Sequence, residues 1–370
     1  MFLALQPHLR DEWLLSNTET GWISSAYYAG YMLAVPLLAS LTDRYDARLV
    51  WLSSTTLAAA SAMGFAAIAV GPWTAALLQL FAGASLAGTY MPGLKLIADR
   101  VDGVPHPRHV AFYTTSFTIG SSLSFYAVGQ LFEWFSWRTA VLAAAAGPVI
   151  AWLLISGLLR PVPTRAPAGE RSHWQTVLRS PDAMRYVLGY ACHMWELFAV
   201  RAWLVPFLAF CESLAGRPPF GTAATLAALI SLVGVPASFA GAELTTRIDR
   251  RRLVTIVMSA SAFVSVTIGS TALVSWAVIL LAGIVYSATV SADSAALTSG
   301  IVAVSDPQSR GTAMALYSTA GFAAASAGSF AIGGLLDLLG GQSVFSWSIA
   351  FAAMGASNLV GVVLLRTAKT

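Results

Sequence analysis

The sequence predicts an all-α membrane protein built from two related helical halves. Three observations support this prediction: a low content of charged residues, a series of long apolar segments, and an internal repeat. Of the 370 residues, 57% are hydrophobic and only 10% are charged, whereas about 25% of the residues of a soluble globular protein are charged. This composition indicates that most of the chain lies in lipid.

Eleven apolar segments are each long enough to cross a bilayer. A membrane-spanning helix needs about 20 mostly apolar residues, because the hydrocarbon layer is about 30 Å thick and offers no water to the backbone. The predicted spans are 20–42, 50–70, 73–98, 109–132, 138–160, 184–211, 220–245, 253–273, 275–301, 311–335 and 344–366.

The net charge of +4 comes from basic residues that are dispersed between the spans. They form no basic face, so the charge does not indicate nucleic-acid binding. The loops on one side of the predicted membrane carry sixteen Lys and Arg residues, and those on the other side carry only Arg10, Arg138 and Arg217. Because cytoplasmic loops are rich in Lys and Arg, we expect an inner-membrane protein with a cytoplasmic C-terminus and with residues 6–19 outside.

A polar segment rich in Pro and Arg, 161–183, separates an N-terminal half, 1–160, from a C-terminal half, 184–370. We predict that it is a cytoplasmic linker. Its second part contains Trp174, Val177 and Leu178 among polar residues. This pattern fits a short amphipathic helix on the membrane surface, and it fits a solvated linker equally well.

The two halves repeat each other with a period near 204. Three matches occur in the same order: 44–48 with 247–251, 127–133 with 331–337, and 135–137 with 345–347. The second half has six spans and the first has five, and the repeat aligns residues 2–4 with 207–209, the outer end of the span 184–211. We therefore expect the sequence to begin partway through its first membrane helix, through a misassigned start or a truncation.

Six plus six parallel helices with an Arg-rich loop in the middle of each half resemble the major facilitator superfamily. The family's signature loop has the form G-x-L-x-D-R-x-G-R-R/K, of which this chain keeps Leu41, Asp43, Arg44 and Arg48. The resemblance implies that the first, fourth, seventh and tenth helices surround a central cavity and that the halves rock about it. The seventh helix is the span 184–211.

The resemblance also implies an inner gate that contains Asp43. The helix that begins near Gly311 has a positive N-terminal end on the same side, which would hold this carboxylate when the gate is closed. The alternative is an ordinary solvated loop that sets topology. The remaining gate candidates are basic residues near the inner ends of helices: Arg44, Arg48, Lys95, Arg247 and Arg251. Lys95 either extends to the membrane surface or pairs with Asp293 across the gate.

Ionisable residues inside the spans are the main candidates for transport, because a charge in hydrocarbon costs several kcal/mol unless it is paired or hydrated. The span 184–211 carries five polar or aromatic residues within an arc of about 160°: Tyr190, His193, Glu196, Arg201 and Trp203. We expect this face to line the cavity. Burial would let Glu196 take up and release a proton near neutral pH, with His193 as its relay, and Arg201 has the planar donors that suit an anion. Alternatively, these residues pair with neighbouring helices and hold the bundle together.

Two other spans contribute candidates to the same pathway. Tyr286, Thr289 and Asp293 form a stripe on the span 275–301, and Gln79 and Tyr90 share a face of the span 73–98. Small residues such as Gly83 more simply serve close helix packing.

The expected function is secondary transport of a small solute, with a proton-coupled small organic or inorganic anion as the first hypothesis. A proton-driven exporter of hydrophobic compounds is the alternative, although Gln79 replaces the Arg that many drug exporters carry on the fourth helix. A transporter-like sensor that binds without transport is the third. The sequence predicts neither an enzyme nor a cofactor or metal site, and the expected partners are a small-molecule substrate, protons and the lipid bilayer around a monomer.

Overall fold

The computed structural model describes residues 1–42, 44–100, 107–161, 174–306 and 309–366. Within these ranges all regular structure is helical, which confirms the predicted all-α fold. The first half contains α1 (Phe2–Glu12), α2 (Asn17–Leu41), α3 (Ala47–Ile68), α4 (Pro72–Arg100), α5 (Pro107–Trp134) and α6 (Trp137–Leu158). Helices α2 to α6 coincide with the five spans predicted there.

Helix α1 corrects one expectation, because residues 6–12 were predicted to lie in an outer loop and are helical. The reason is an apolar face at helical spacing. Phe2, Leu5 and Leu9 are each at most 1% exposed, and they form part of the main hydrophobic core. Burial of this face outweighs the hydrogen bond that Pro7 cannot make.

The predicted linker contains α7 (Trp174–Leu178). The second half contains α8 (Pro181–Ala215), α9 (Ala223–Leu232), α10 (Gly234–Leu244), α11 (Arg250–Ile268), α12 (Trp276–Ala292), α13 (Ser294–Val304), α14 (Arg310–Leu338) and α15 (Val344–Leu365). The short helix α7 lies where the amphipathic segment was predicted, with Val177 buried.

Two predicted spans consist of two helices each. Helices α9 and α10 meet at Val233, and α12 and α13 meet at Asp293. Pro236 accounts for the first interruption, because it lacks an N–H group and its ring disfavours the helical position of the carbonyl of Leu232. By length and composition, eight spans of the described chain can cross a membrane, and α2, α4 and α5 are also 25, 29 and 28 residues long.

Helix caps support the internal repeat. The carboxylate of Asp46 accepts a hydrogen bond from the backbone N–H of Arg48 at the start of α3. Asp249, its counterpart in the second half, accepts one from Arg252 at the start of α11. Such a cap satisfies a backbone donor that the first helical turn leaves free. The matched residues of the two halves therefore have the same structural role.

The two halves meet along α2 with α14 and along α5 with α9. The hydroxyl oxygens of Ser25 and Ser326 lie 2.7 Å apart, and the rings of Tyr31 and Phe322 stack with centroids 3.7 Å apart. Within the first half, a Cβ atom at Gly83 would lie 1.7 Å from the carbonyl oxygen of Tyr27. This close approach of α4 to α2 confirms the predicted packing role of Gly83.

A carboxylate joins the halves where α2 begins. Asp337, in the last turn of α14, accepts hydrogen bonds from the backbone N–H groups of Asn17 and Thr18 at 3.0 and 2.7 Å. It also accepts from the Asn17 amide at 2.8 Å and from the Thr18 hydroxyl at 2.6 Å. A negative charge at a helix N-terminus is favourable because the free N–H groups there carry partial positive charge. Asp337 thus fastens the second half to α2, at the end that the charge bias predicts to be outside.

Candidate functional site

A cavity with a charged wall lies against α8 and inside the first half. It has a volume of about 420 Å³ and is lined by residues of α1 to α6, with Phe198 and Arg201 supplied by α8. Gln79 of α4 is among the lining residues and is only 5% exposed. We call this space the Arg201 cavity.

The guanidinium group of Arg201 is flanked by aromatic rings. Its carbon atom Cζ lies 5.3 Å from the ring centre of Phe117 and 5.5 Å from that of Phe198. Among the described residues, Arg201 forms no ion pair with a carboxylate. The hydroxyl groups of Tyr27 and Tyr28 lie near its guanidinium group. A charged group inside a membrane-spanning helix normally faces a partner or a cavity, so this geometry leaves Arg201 able to receive an anion from the cavity.

Glu196 lies away from that cavity, inside the second half, and is 1% exposed. Its carboxylate accepts hydrogen bonds from the hydroxyls of Ser261 and Tyr286 at 2.9 and 3.0 Å and from the amide of Asn358. These donors come from α11, α12 and α15. The bonds explain how a carboxylate is held at membrane depth, where an isolated charge is unfavourable.

His193 and Asp293 form a second buried polar pair. Their atoms Nδ1 and Oδ1 lie 2.9 Å apart, and the side chains are 2% and 3% exposed. The contact brings the two groups together without a well-aligned hydrogen bond, while the other ring nitrogen of His193 lies 3.1 Å from the hydroxyl of Ser294. The alternative pair between Lys95 and Asp293 is not formed among the described residues, because Asp293 at the α12–α13 junction lies against His193 of α8. Lys95 at the membrane surface stays a prediction.

The predicted single polar face of α8 is also corrected. Only Arg201 of its five residues lines the Arg201 cavity. Glu196 and His193 point into the second half, Trp203 donates a hydrogen bond to the carbonyl oxygen of Ser329 at 3.0 Å, and the ring of Tyr190 stacks on Tyr317 at 3.7 Å. Residues spread over an arc of about 160° contact several different helices when a helix is surrounded on all sides.

A small cavity of about 40 Å³ is lined by both Arg201 and Tyr286. Space of this size can hold water. Tyr286 therefore contacts this cavity and, through its hydroxyl, the carboxylate of Glu196. The two polar regions that the sequence assigned to one face are linked through this tyrosine.

The other pathway candidates take packing roles. The ring of Tyr90 stacks on Tyr113, with centroids 5.7 Å apart. The hydroxyl of Thr289 donates to the carbonyl oxygens of Val285 and Tyr286 in its own helix. Neither residue is part of the described lining of the Arg201 cavity.

The gate candidates are spread over the predicted inner end. Arg44 is exposed, Arg48 donates to the carbonyl oxygen of Ser156 at 2.7 Å, and Arg247 lies 3.5 Å from Glu243 at the surface. Arg251 lies in the first turn of α11 and Lys95 near the end of α4. Asp43 lies outside the described residues, although α14 begins at Arg310, within one residue of the predicted start.

Sequence reasoning named Tyr286 as a pathway residue, but it missed the other two donors of Glu196, Ser261 and Asn358. It also missed the aromatic wall of the Arg201 cavity. Asn358 carries a detectable signal, because it is an amide in the middle of the apolar span 344–366. Ser261 and Phe117 carry none, since hydroxyls and rings are common in membrane helices. No group of three or more metal-ligating side chains occurs among the residues that the structure describes.

Comparisons with known proteins agree with this architecture. The family model of the Major Facilitator Superfamily matches residues 1–329, and no curated protein matches the sequence significantly. A bacterial homologue of the human lysosomal transporter Spinster, solved in an inward-facing, unoccupied conformation, superposes with a TM-score of 0.73 at 16% identity, covering 99% of this chain and 90% of that chain. A mutant of the nucleoside transporter NupG superposes with a TM-score of 0.77 at 15% identity, covering 99% and 94%. The family match, which spans most of the sequence, shows that the chain belongs to the major facilitator superfamily.

Proposed function

We propose that the chain is a proton-coupled transporter of a small anion, with Arg201 as the substrate anchor and Glu196 as the proton carrier. The observation that carries the proposal is the Arg201 guanidinium, which faces a cavity of about 420 Å³ without a carboxylate partner among the described residues. A guanidinium group binds carboxylates and similar anions through two parallel hydrogen bonds. The charge bias of the loops favours an inner-membrane location with a cytoplasmic C-terminus.

Coupling to protons is supported by the connection between Arg201 and Glu196. Tyr286 lines the small cavity beside Arg201, and its hydroxyl donates to Glu196. Protonation of Glu196 would remove the negative charge that strengthens its hydrogen bond from Tyr286 and would add an O–H donor. It would thereby change the wall next to Arg201. A proton on Glu196 and an anion on Arg201 thus act on one connected set of side chains.

Transport into proteoliposomes under an imposed pH gradient tests the proposal. We expect accumulation of a labelled anion by the unmodified protein and loss of all uptake in Arg201→Gln. Glu196→Gln should keep exchange of labelled for unlabelled anion but lose proton-driven accumulation, because the substrate site remains and the proton site does not. Arg217→Gln, in an exposed loop, is the matched control and should behave like the unmodified protein.

The aromatic lining of the cavity favours one alternative, an exporter of hydrophobic compounds. That function predicts proton-driven extrusion of uncharged dyes and tolerance of Arg201→Gln. A sensor would bind an anion without accumulation. Either result in the proteoliposome assay would contradict the anion transporter.

A further inference from the structure

The lining of the Arg201 cavity combines one charged side chain with aromatic rings, hydroxyl groups and the amide of Gln79. Arg201 is its only charged side chain among the described lining residues. The rings belong to Phe2, Tyr27, Tyr28, Phe117, Phe125 and Phe198. The hydroxyls of Ser24, Ser85, Ser116 and Ser121 donate to carbonyl oxygens of their own helices, so what they offer a ligand is chiefly acceptor capacity.

We propose that the substrate of this cavity is a monocarboxylate that carries a flat aromatic ring. This inference rests on the proposed function, because it specifies the anion that Arg201 binds. The carboxylate would pair with the guanidinium of Arg201, and the ring would pack against the aromatic wall beside it.

We infer the charge of the ligand from the charged side chains that line the cavity. One guanidinium can neutralise one carboxylate in a paired, hydrogen-bonded geometry. A second carboxylate on the ligand would have no second cationic side chain to pair with, and an amine would have no anionic one, because Arg201 is the only charged side chain among the described lining residues. An unpaired charge on the ligand is unfavourable in a desolvated site. The ligand that matches the lining therefore carries a single negative charge.

We infer the aromatic ring of the ligand from the positions of the aromatic side chains in the lining. Phe117 of α5 and Phe198 of α8 bring ring centres to within 5.3 and 5.5 Å of Arg201 Cζ, so the anion lies beside rings from both halves. Aromatic rings pack favourably in offset or edge-to-face contact. The volume of about 420 Å³ falls within the range of about 300–1,000 Å³ that is usual for small-molecule sites, larger than an inorganic anion requires.

Binding to the purified protein tests this class with six matched ligands: benzoate, cyclohexanecarboxylate, benzamide, benzylamine, terephthalate and sulfate. We expect benzoate to bind about threefold to tenfold more tightly than cyclohexanecarboxylate, the ratio that one aromatic contact provides. The uncharged benzamide, the cation benzylamine and the dianion terephthalate should each bind at least about tenfold more weakly than benzoate. Equal binding of cyclohexanecarboxylate or sulfate would overturn the aromatic class and leave anion transport standing. Equal binding of benzamide would overturn both proposals.

Two variants assign the contacts. Arg201→Gln should weaken benzoate about tenfold or more, with Arg217→Gln as its control. Phe117→Leu should weaken benzoate about threefold and leave cyclohexanecarboxylate unchanged, with Phe263→Leu, 75% exposed on α11, as its control. Unchanged benzoate affinity in Arg201→Gln would contradict the proposed site. Should a variant fail to fold, the ligand series on the unmodified protein still decides the class.

Discussion

Glu196 is a buried carboxylate whose three hydrogen-bond donors come from three different helices. Replacement by Leu leaves the hydroxyls of Ser261 and Tyr286 and the amide of Asn358 without an acceptor. Each unsatisfied buried group costs about 1–3 kcal/mol, so we expect Glu196→Leu to lower the free energy of unfolding by about 3 kcal/mol or more. Glu196→Gln keeps an oxygen acceptor of the same shape and should lower it by less.

Unfolding in mixed detergent micelles measures both variants. Glu212→Leu, near the end of the same helix, is the control and should have a small effect. If Glu196→Leu is no less stable than Glu196→Gln, the carboxylate does not hold these helices together.

His193 and Asp293 should be energetically coupled, because both side chains are buried and 2.9 Å apart. Removing one member of such a pair leaves the other without compensation at a cost of about 3–5 kcal/mol. We expect His193→Leu combined with Asp293→Leu to be milder than the sum of the single changes by at least about 1 kcal/mol. The same cycle on the exposed Arg247 and Glu243, 72% and 66% accessible, should give a coupling below about 0.5 kcal/mol. Additive effects at both sites would contradict the prediction.

Among the helices, the contact of α14 with the start of α2 depends on Asp337. Replacement by Asn removes the negative charge from the helix N-terminus and weakens charge-assisted hydrogen bonds. We expect Asp337→Asn to destabilise this closed contact by about 1–3 kcal/mol. Spin labels at Leu14 and Leu338, 89% and 85% exposed, should report a larger population at long distance.

Glu133 provides the matched control for Asp337. It is the counterpart of Asp337 in the repeat and is exposed at the end of α5. Glu133→Gln should leave the distance distribution unchanged. Identical distributions in Asp337→Asn and Glu133→Gln would show that Asp337 does not hold the halves together.

The helices were predictable from the sequence, because a membrane span is a local property of about 20 residues. The repeat also identified Asp46 and Asp249 as equivalent before their capping bonds were seen. The candidate site was predicted only in part. Arg201 was found as a charge inside a span, but the partners of a side chain depend on which helix packs on which face, and neither Ser261 nor Phe117 carries a local signal. For the same reason, the sequence grouped Glu196 with Arg201 although the two side chains have different neighbours.

At the scale of the whole molecule, the halves are fastened at the end where α2 begins. The contacts there include the Asp337 cluster and the hydrogen bond of 3.1 Å from Gln130 of α5 to Thr225 of α9. At the opposite end, Gly311 in the first turn of α14 faces open space among the residues that the structure describes. Alternating access requires the fastened end to open while the opposite end closes.

A disulfide across the fastened end should therefore stop transport. The hydroxyl oxygens of Ser25 on α2 and Ser326 on α14 lie 2.7 Å apart, which places cysteines at these positions within bonding reach. In a background in which the free cysteines Cys192 and Cys211 are replaced by Ala, we expect oxidation of Ser25→Cys with Ser326→Cys to abolish uptake, and a reductant to restore it. Each single variant should tolerate the oxidant, and the cross-linked protein should still bind an anion, because the Arg201 cavity is not part of the linkage. Full uptake by protein that gel mobility shows to be cross-linked would mean that the halves do not separate at this end during transport.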